Sequence, residues 1–217
     1  MEGSRRLVVG TGNTGKILEI SAYLSPAGIT PVPVGDLIPD FAPVEDGDSF
    51  LANARIKAAA AVAATGLPSF ADDSGLCVVG LGLEPGIRSA RYAGPGKSDR
   101  QRMEFLLSEM AEFADDARRA YFACALCAYV PLAWLSDQGL RVATPCRWPD
   151  LAEVTTEGRL EGRIGTAGRG DGGFGYDPVF FPDGDGDRSL AQYSLTEKNL
   201  ISHRGRALAH FRSLLQT

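Results

Sequence analysis

A short apolar run, Leu7-Val8-Val9, feeds directly into Gly10-Thr11-Gly12-Asn13-Thr14-Gly15-Lys16, after which Ile17, Ile20 and Leu24 recur at helical spacing until Gly28. A buried strand, a glycine-rich loop and an amphipathic helix in that order point to an α/β fold. The loop meets every position of the P-loop pattern except the last, where Ile17 replaces the hydroxyl residue that holds magnesium. It also meets the Gly-x-Gly-x-x-Gly dinucleotide pattern, but Asp36, after the proline-broken 31–34 segment, is a poor candidate for the acidic residue that should end the next strand. Both patterns share one piece of physics. A glycine-rich turn at a helix N-terminus offers backbone N–H groups and the positive end of a dipole to an anion. The alternative is a tight structural turn.

Further along, 31–34 reads as a second strand, and 39–47 as an acidic loop with Glu45 and Asp46. Ser49 or Asp48 caps an alanine-rich helix through Ala64, stopped by Gly66, on which Asn53 and Lys57 are four residues apart and share a face. Strands are expected at 70–71 and 76–79, flanking a turn. An irregular loop follows over 80–96, then a helix opened by Ser98 or Asp99. Further strands are expected over 121–130, around 140–144, over 154–160 and over 179–181. Ser194-Leu-Thr-Glu197 has capping-box spacing and opens a helical C-terminus containing Lys198, His203 and Arg204.

Asp72 and Asp73 are the most pointed residues of the chain, because they lie between two apolar stretches, 67–70 and 76–83. In an extended segment consecutive side chains face opposite ways, so the two carboxylates can take different jobs. Asp-Ser-Gly is also ordinary turn chemistry, and a hairpin turn at Ser74-Gly75 is the competing expectation.

Composition narrows the field of partners. A chain of 217 residues can bury a core without staples, and its net charge of −5 argues against a nucleic-acid polymer as ligand. The four cysteines do not form a disulfide framework, and Cys124-Ala-Leu-Cys127 lies inside an apolar run as core. Ser4-Arg5-Arg6 lacks the apolar region of an export signal, and the apolar stretch 121–135 is too short to span a bilayer and contains Pro131. A soluble, cytoplasmic protein without membrane contact is the expectation. Asp183-Gly-Asp185-Gly-Asp187 imitates a calcium loop, but Arg188 stands where glycine is required and Ser194 where glutamate is, so it reads as a solvated loop. Only Lys16, Lys57, Lys97 and Lys198 are lysines among the 22 basic residues, and a compact point charge suits a phosphate oxygen.

Gly173-Phe174-Gly175-Tyr176-Asp177-Pro178 places an aromatic ring between two glycines, which lets a flat ligand approach it, or else forms a turn that buries two aromatics. Ser202-His203-Arg204 adds donors near a helical end. Together with Thr11-Gly-Asn-Thr-Gly-Lys16, Phe50-Leu-Ala-Asn53-Ala-Arg-Ile-Lys57, Ala71-Asp-Asp-Ser-Gly-Leu76, Pro85-Gly-Ile-Arg-Ser-Ala-Arg-Tyr-Ala-Gly94 and Glu197-Lys-Asn-Leu-Ile-Ser-His-Arg204, this order of motifs resembles the inosine-triphosphate pyrophosphatase family. The resemblance runs from Thr11 to Leu208.

It implies hydrolysis between the α- and β-phosphates of ITP, dITP or XTP, with Mg2+, by one domain spanning 1–217. The implied fold is α/β, a mixed, curved central sheet flanked by helices, with two lobes and an active-site cleft between them. The implied assembly is a homodimer. Asp73 would be the general base, and Glu45, Asp73 and Asp72 would hold or adjoin the metal. Thr11, Asn13, Lys16, Lys57 and Ser74 would contact the substrate, the lysines and Asn13 at its phosphates. Phe174 would stack on the base beside Gly175 and Tyr176, and Asp177, Lys198, His203 and Arg204 would line the base or sugar end. Three departures stand out: Ala52 where the family usually has Glu, Gln192 where Glu is common, and Arg102 where Asn is frequent. The competing readings are a pyrophosphatase for another nucleotide, such as a modified pyrimidine or a standard dNTP, and a sensor that binds nucleotide without turnover.

Overall fold

In the computed structural model, which describes residues 5–184 and 186–216, the N-terminal pattern folds as its periodicity requires. Strand β1 (Arg5–Val9) leads into helix α1 (Thr14–Leu24), whose first turn is capped by the Asn13 side chain accepting from the Lys16 N–H. Gly28 ends the following 3-10 turn in the left-handed region, φ 72°, and the chain returns as β2 (Ile29–Pro33), parallel to β1. Helix α2 (Phe50–Thr65) starts at Ser49, whose hydroxyl accepts from Ala52 N–H, and stops at Gly66, φ 67°. Strand β3 (Ser69–Val78) then pairs parallel with the other side of β1, through Val8↔Ser69 and Val9↔Phe70.

The rest of the chain adds α3 (Asp99–Glu109), β4 (Arg119–Pro131), α4 (Asp137–Val142), β5 (Thr144–Pro145), β6 (Leu151–Ile164), β7 (Phe180–Pro182), α5 (Leu195–Ile201) and α6 (His203–Ser213). The strand order is β2-β1-β3-β4-β6-β5, with β7 also paired to β6, antiparallel as is β5. The fold is therefore α/β with a mixed sheet. The chain forms two compact units, one from Met1–Asp73, Cys124–Gly158 and Arg204–Thr217, the other from Ser74–Ala123 and Arg159–His203.

Each unit has its own core. In the first, Leu7, Val9, Ile20, Leu24, Phe70, Leu126 and Phe211 are all solvent-free, and Phe70 and Phe211 stack with ring centroids 6.2 Å apart. Burying each such side chain stabilises the unit by about 1.5–3 kcal/mol. The second core gathers Leu76, Val78, Leu106, Met110, Val179 and Phe180, with Phe122 tilted against Phe180 at 4.7 Å. Arg118 is buried there with its guanidinium donating to the Met110, Ile164 and Gly165 carbonyls, which ties the end of α3 to the end of β6.

Two sequence expectations are corrected. There is no turn at Ser74-Gly75: β3 runs unbroken from Ser69 to Val78, because it is an interior strand and its backbone pairing outweighs local turn preference. The segment around 140–144 is mostly helix, capped by the Ser136 hydroxyl, and only Thr144–Pro145 is strand. A Cβ at Gly139 would stand 2.2 Å from the Leu214 carbonyl, so that turn packs where only glycine fits. The helical C-terminus consists of two helices, parted by the extended backbone of Ser202, ψ 155°. Of the calcium-like loop, Asp185 lies outside the described residues, while Asp183 pairs with Arg119 and Asp187 with Arg163.

Candidate active site

The geometry of the parallel strands decides what the carboxylates can do. β1 ends at Val9, level with Phe70, and Gly10 N–H donates to the Phe70 carbonyl. β3 continues past this point, so Asp72 and Asp73 lie beyond the carboxyl end of β1, beside the Gly10–Lys16 loop. Crevices at the carboxyl ends of parallel strands are where α/β folds bind ligands.

Strand alternation then separates the two aspartates. Asp72 is 1% exposed, and its Oδ2 accepts from Lys16 Nζ (3.0 Å), Arg204 Nε (3.1 Å) and the Cys124 thiol (3.8 Å). Arg204 is itself 2% exposed and also pairs with Glu19, which α1 carries on its buried side. Burial alone would raise the Asp72 pKa, but Lys16, Arg204 and Lys57 outweigh it and hold the carboxyl well below the usual carboxylate range. Burial pushes the Cys124 thiol far up, with the Asp72 charge adding to it, so this cysteine is an inert neutral donor.

Asp73 faces the other way, toward α2. Its Oδ2 accepts from Asn53 Nδ2 at 3.1 Å and its Oδ1 from Lys57 Nζ at 3.2 Å, and the same ammonium reaches Glu45 Oε2 at 2.8 Å. The shared helical face of Asn53 and Lys57 thus meets one carboxylate. Burial raises the Asp73 pKa, and Lys57 and Lys16 offset only part of that. Burial would lower the Lys57 pKa, yet Asp73, Asp72 and Glu45 together keep it above its ordinary value, so the amine is charged. Asn53 also accepts the Gly47 N–H at 2.9 Å, which fixes the loop that carries Glu45. A Cβ on Gly47 would come within 2.7 Å of Asn53 Oδ1 and 2.9 Å of its backbone nitrogen, so this approach requires glycine.

The loop before α1 is partly open to solvent. Thr11 Oγ1 accepts from Asn13 N–H, and Asn13 Oδ1 caps Lys16 N–H. The opening turn of a helix leaves its first N–H groups without helical partners, here those of Thr14 and Gly15 beside the Lys16 side chain.

The second unit holds a second cluster. Gly173, φ 72°, turns the chain so tightly that a Cβ there would lie 2.1 Å from Asp177 Oδ2. That oxygen accepts the Phe174 N–H at 2.9 Å and pairs with Lys198 Nζ at 2.6 Å, and the ammonium sits 4.5 Å from the centroid of the Phe174 ring. Lys198 and Asp177 are buried, while the Phe174 ring is half-buried. Gly175, φ 63°, donates its N–H to Asp99 at the start of α3. The Tyr176 hydroxyl is buried and donates to the Ser89 carbonyl. The His203 ring stacks on Phe122, with centroids 4.8 Å apart and planes 12° apart.

The structure therefore brings Lys16, Glu45, Lys57, Asp72 and Asp73 together with the Thr11–Asn13 loop, and groups Phe174, Gly175 and Asp177 with Lys198. Ser74 follows Asp73 in β3, half-buried. Arg204 lies with Asp72 and Glu19 in the first unit. The sequence assigned no place in the site to Glu19, Asn53, Cys124 or Asp99. Glu19 gave no local signal: it lies off the Ile17-Ile20-Leu24 stripe, and only the fold buries it and so demands a partner for its charge.

Among the described residues no three His, Cys, Asp or Glu side chains form a ready metal cage. Glu45 and Asp73, two hard oxygen donors sharing one ammonium, still fit a magnesium ion. That cation retains water and binds through one or two carboxylates together with substrate phosphates.

These features define an α/β protein with a carboxylate–lysine cluster beyond the carboxyl end of its strand β1 and a glycine-flanked aromatic turn. The sequence profile of the Ham1 family matches residues 7–214, so the chain belongs to the Ham1 family. It is 43% identical over 212 residues to the dITP/XTP pyrophosphatase of Streptomyces coelicolor, covering 97% of this chain and 95% of that one. Among solved structures, the HAM1 protein of Coxiella burnetii superposes with a TM-score of 0.78 at 34% identity, covering 96% of this chain and 97% of the other. The Ham1 protein of Staphylococcus aureus gives 0.77 at 34%, with the same coverage.

Proposed function

We propose that this chain, a nucleoside-triphosphate pyrophosphatase of the Ham1 family, hydrolyses dITP, ITP and XTP to the monophosphate and pyrophosphate with magnesium, and so clears non-standard purines from the nucleotide pool. The observation that carries the reading is the Asp73 carboxylate, buried beyond the end of β1 and held by Asn53 on one oxygen and Lys57 on the other. It is the one aspartate of the pair whose proton affinity is raised, by burial, which makes it the stronger base of the two.

A triphosphate brings roughly four negative charges, and phosphoryl transfer depends mainly on positioning and charge neutralisation. Lys16, Lys57 and the first N–H groups of α1 supply the positive side. Each oxygen of Asp73 keeps a second lone pair beyond the bond it accepts, so the carboxylate can orient a water and take its proton without losing Asn53 or Lys57. Glu45 and Asp73 would hold magnesium, which supplies further charge neutralisation at the phosphates when bound. Asp72 takes no direct part: Lys16 and Arg204 fix it, and in return it fixes Lys16.

In the second unit, Phe174 supplies the stacking face for the base, and Lys198, held by Asp177, supplies a donor. A 6-oxopurine presents an acceptor where adenine presents an amino group, so a cationic donor accepts the first and conflicts with the second. Leaving such groups unpaired costs on the order of 1–3 kcal/mol. His203, stacked on Phe122, is assigned to the same end. Family resemblance supports a homodimer; no helix among the described residues is long and apolar enough to cross a membrane.

The experiment is a product analysis with magnesium on XTP, dITP, ITP, GTP and ATP. Monophosphate and pyrophosphate from the first three, with much slower turnover of ATP, is the expected result. Tight binding of XTP with no pyrophosphate would make the protein a sensor instead.

A further inference from the structure

We infer that Asp99 and Arg102 are positioning residues for the turn that carries Phe174, an assignment that rests on the proposed role of Phe174 at the base. Asp99 is the first residue of α3, where a carboxylate is ordinarily explained by the helix dipole alone. Here its two oxygens have separate partners. Oδ2 accepts the Gly175 N–H at 2.7 Å, across 76 residues of sequence, and Oδ1 pairs with Arg102, whose guanidinium also donates to the Lys97 carbonyl. Arg102, tied to the Lys97 carbonyl as well, holds the Asp99 carboxylate in one orientation.

The consequence is a two-carboxylate clamp on consecutive amides. Phe174 N–H is taken by Asp177 and Gly175 N–H by Asp99. Gly175 has φ 63° and open space where a Cβ would be, so packing alone does not fix the backbone there. The Phe174 ring is half-buried and touches Lys198 on the Asp177 side. Asp177 is already committed to Lys198, so Asp99 is the second anchor for the ring's backbone, and Arg102 decides whether that anchor points at Gly175. Without it one of the two carboxylates on these consecutive amides is lost and the backbone at 174–175 samples more orientations, which weakens base stacking without touching the phosphate end.

The test compares Asp99→Ala, Asp99→Asn and Arg102→Asn with wild type and with Glu104→Ala, which removes an exposed Arg100 pair on the same helix. Two readouts are used: KM and kcat for XTP with magnesium, and hydrogen–deuterium exchange of peptides covering 172–178. Asp99→Ala is expected to raise KM about tenfold, the fold-change of one charged hydrogen bond, with kcat within about twofold. Amide exchange at 174–175 is expected to accelerate at least about tenfold, with Tm near wild type. Asp99→Asn, which retains an acceptor, and Arg102→Asn should lie between, and Glu104→Ala should move neither readout. Wild-type exchange and KM in Asp99→Ala would overturn the assignment and return Asp99 to a helix-dipole role. Faster exchange with unchanged KM would also overturn it, since the clamp would then hold a turn that does not serve the substrate. Failure of the proposed function shows separately, as absence of pyrophosphate release by the wild-type enzyme.

Discussion

Replacing Glu19 by alanine removes a carboxylate that lies 2% exposed on α1 and accepts from the Arg204 guanidinium. Arg204 is equally buried and keeps Asp72 at 3.1 Å, so its charge is left half-compensated rather than orphaned. Removing one partner of a buried pair costs about 3–5 kcal/mol when the remaining charge has nothing else; with Asp72 in place the lower end applies, about 3 kcal/mol. Glu19→Gln retains the volume and an acceptor and loses only the charge, so about 1 kcal/mol is expected. For a chain of this size, about 3 kcal/mol lowers Tm by roughly 6–12 °C. Urea unfolding at pH 7 followed by circular dichroism measures both variants. Repeating it in high salt should leave the difference almost unchanged, because buried pairs are screened far less than surface ones. A Glu19→Ala protein within about 0.5 kcal/mol of wild type would refute the idea that this ion network supports the first unit.

Asp72 gives a pH signature. Its folded pKa lies below the unfolded value of about 3.9, so the carboxylate contributes stability that is present above that pH and is lost as pH falls through the folded value. Urea midpoints of Asp72→Asn should accordingly fall less steeply below about pH 4 than those of wild type, and parallel slopes would contradict the assignment. Gly173→Ala meets both a left-handed backbone, φ 72°, and Asp177 Oδ2 at 2.1 Å. The backbone alone costs about 1–2 kcal/mol. Displacement of Asp177 from Lys198 should also raise KM for XTP, and a variant with wild-type Tm and KM would show that the turn is not as tight as described.

Much of this was legible in the sequence because local signals and tertiary demands agree. The strand, loop and helix over 5–24 follow from apolar periodicity and the glycine-rich turn; α2 follows from Ser49 and Gly66; the break before α5 follows from the Ser194 capping box. The turn expected at Ser74-Gly75 failed for a specific reason. Turn chemistry is a local preference, while an interior strand answers to neighbours on both sides, and the cations that make buried aspartates tolerable come from residues 16, 57 and 204. Nothing local announces that. Arg204 was placed by motif order at the base or sugar end, whereas its contacts in the fold are Asp72 and Glu19. Asn53 and Lys57 were paired on one helical face from spacing alone, but their common target, Asp73, needed β3 to be set beside α2. Asp99 looked like a helix-opening residue and nothing more, since its Gly175 contact joins segments 76 residues apart.

In the proposed reaction Asp73 activates the attacking water while its neighbours bind the phosphates. The most direct measurement is Asp73→Asn, with XTP binding by titration calorimetry and pyrophosphate release measured on the same preparation with magnesium. Turnover is expected to fall by at least about a thousandfold, within the usual contribution of a general base, while XTP binding stays within about tenfold of wild type. Turnover within tenfold of wild type would contradict it and move the base elsewhere.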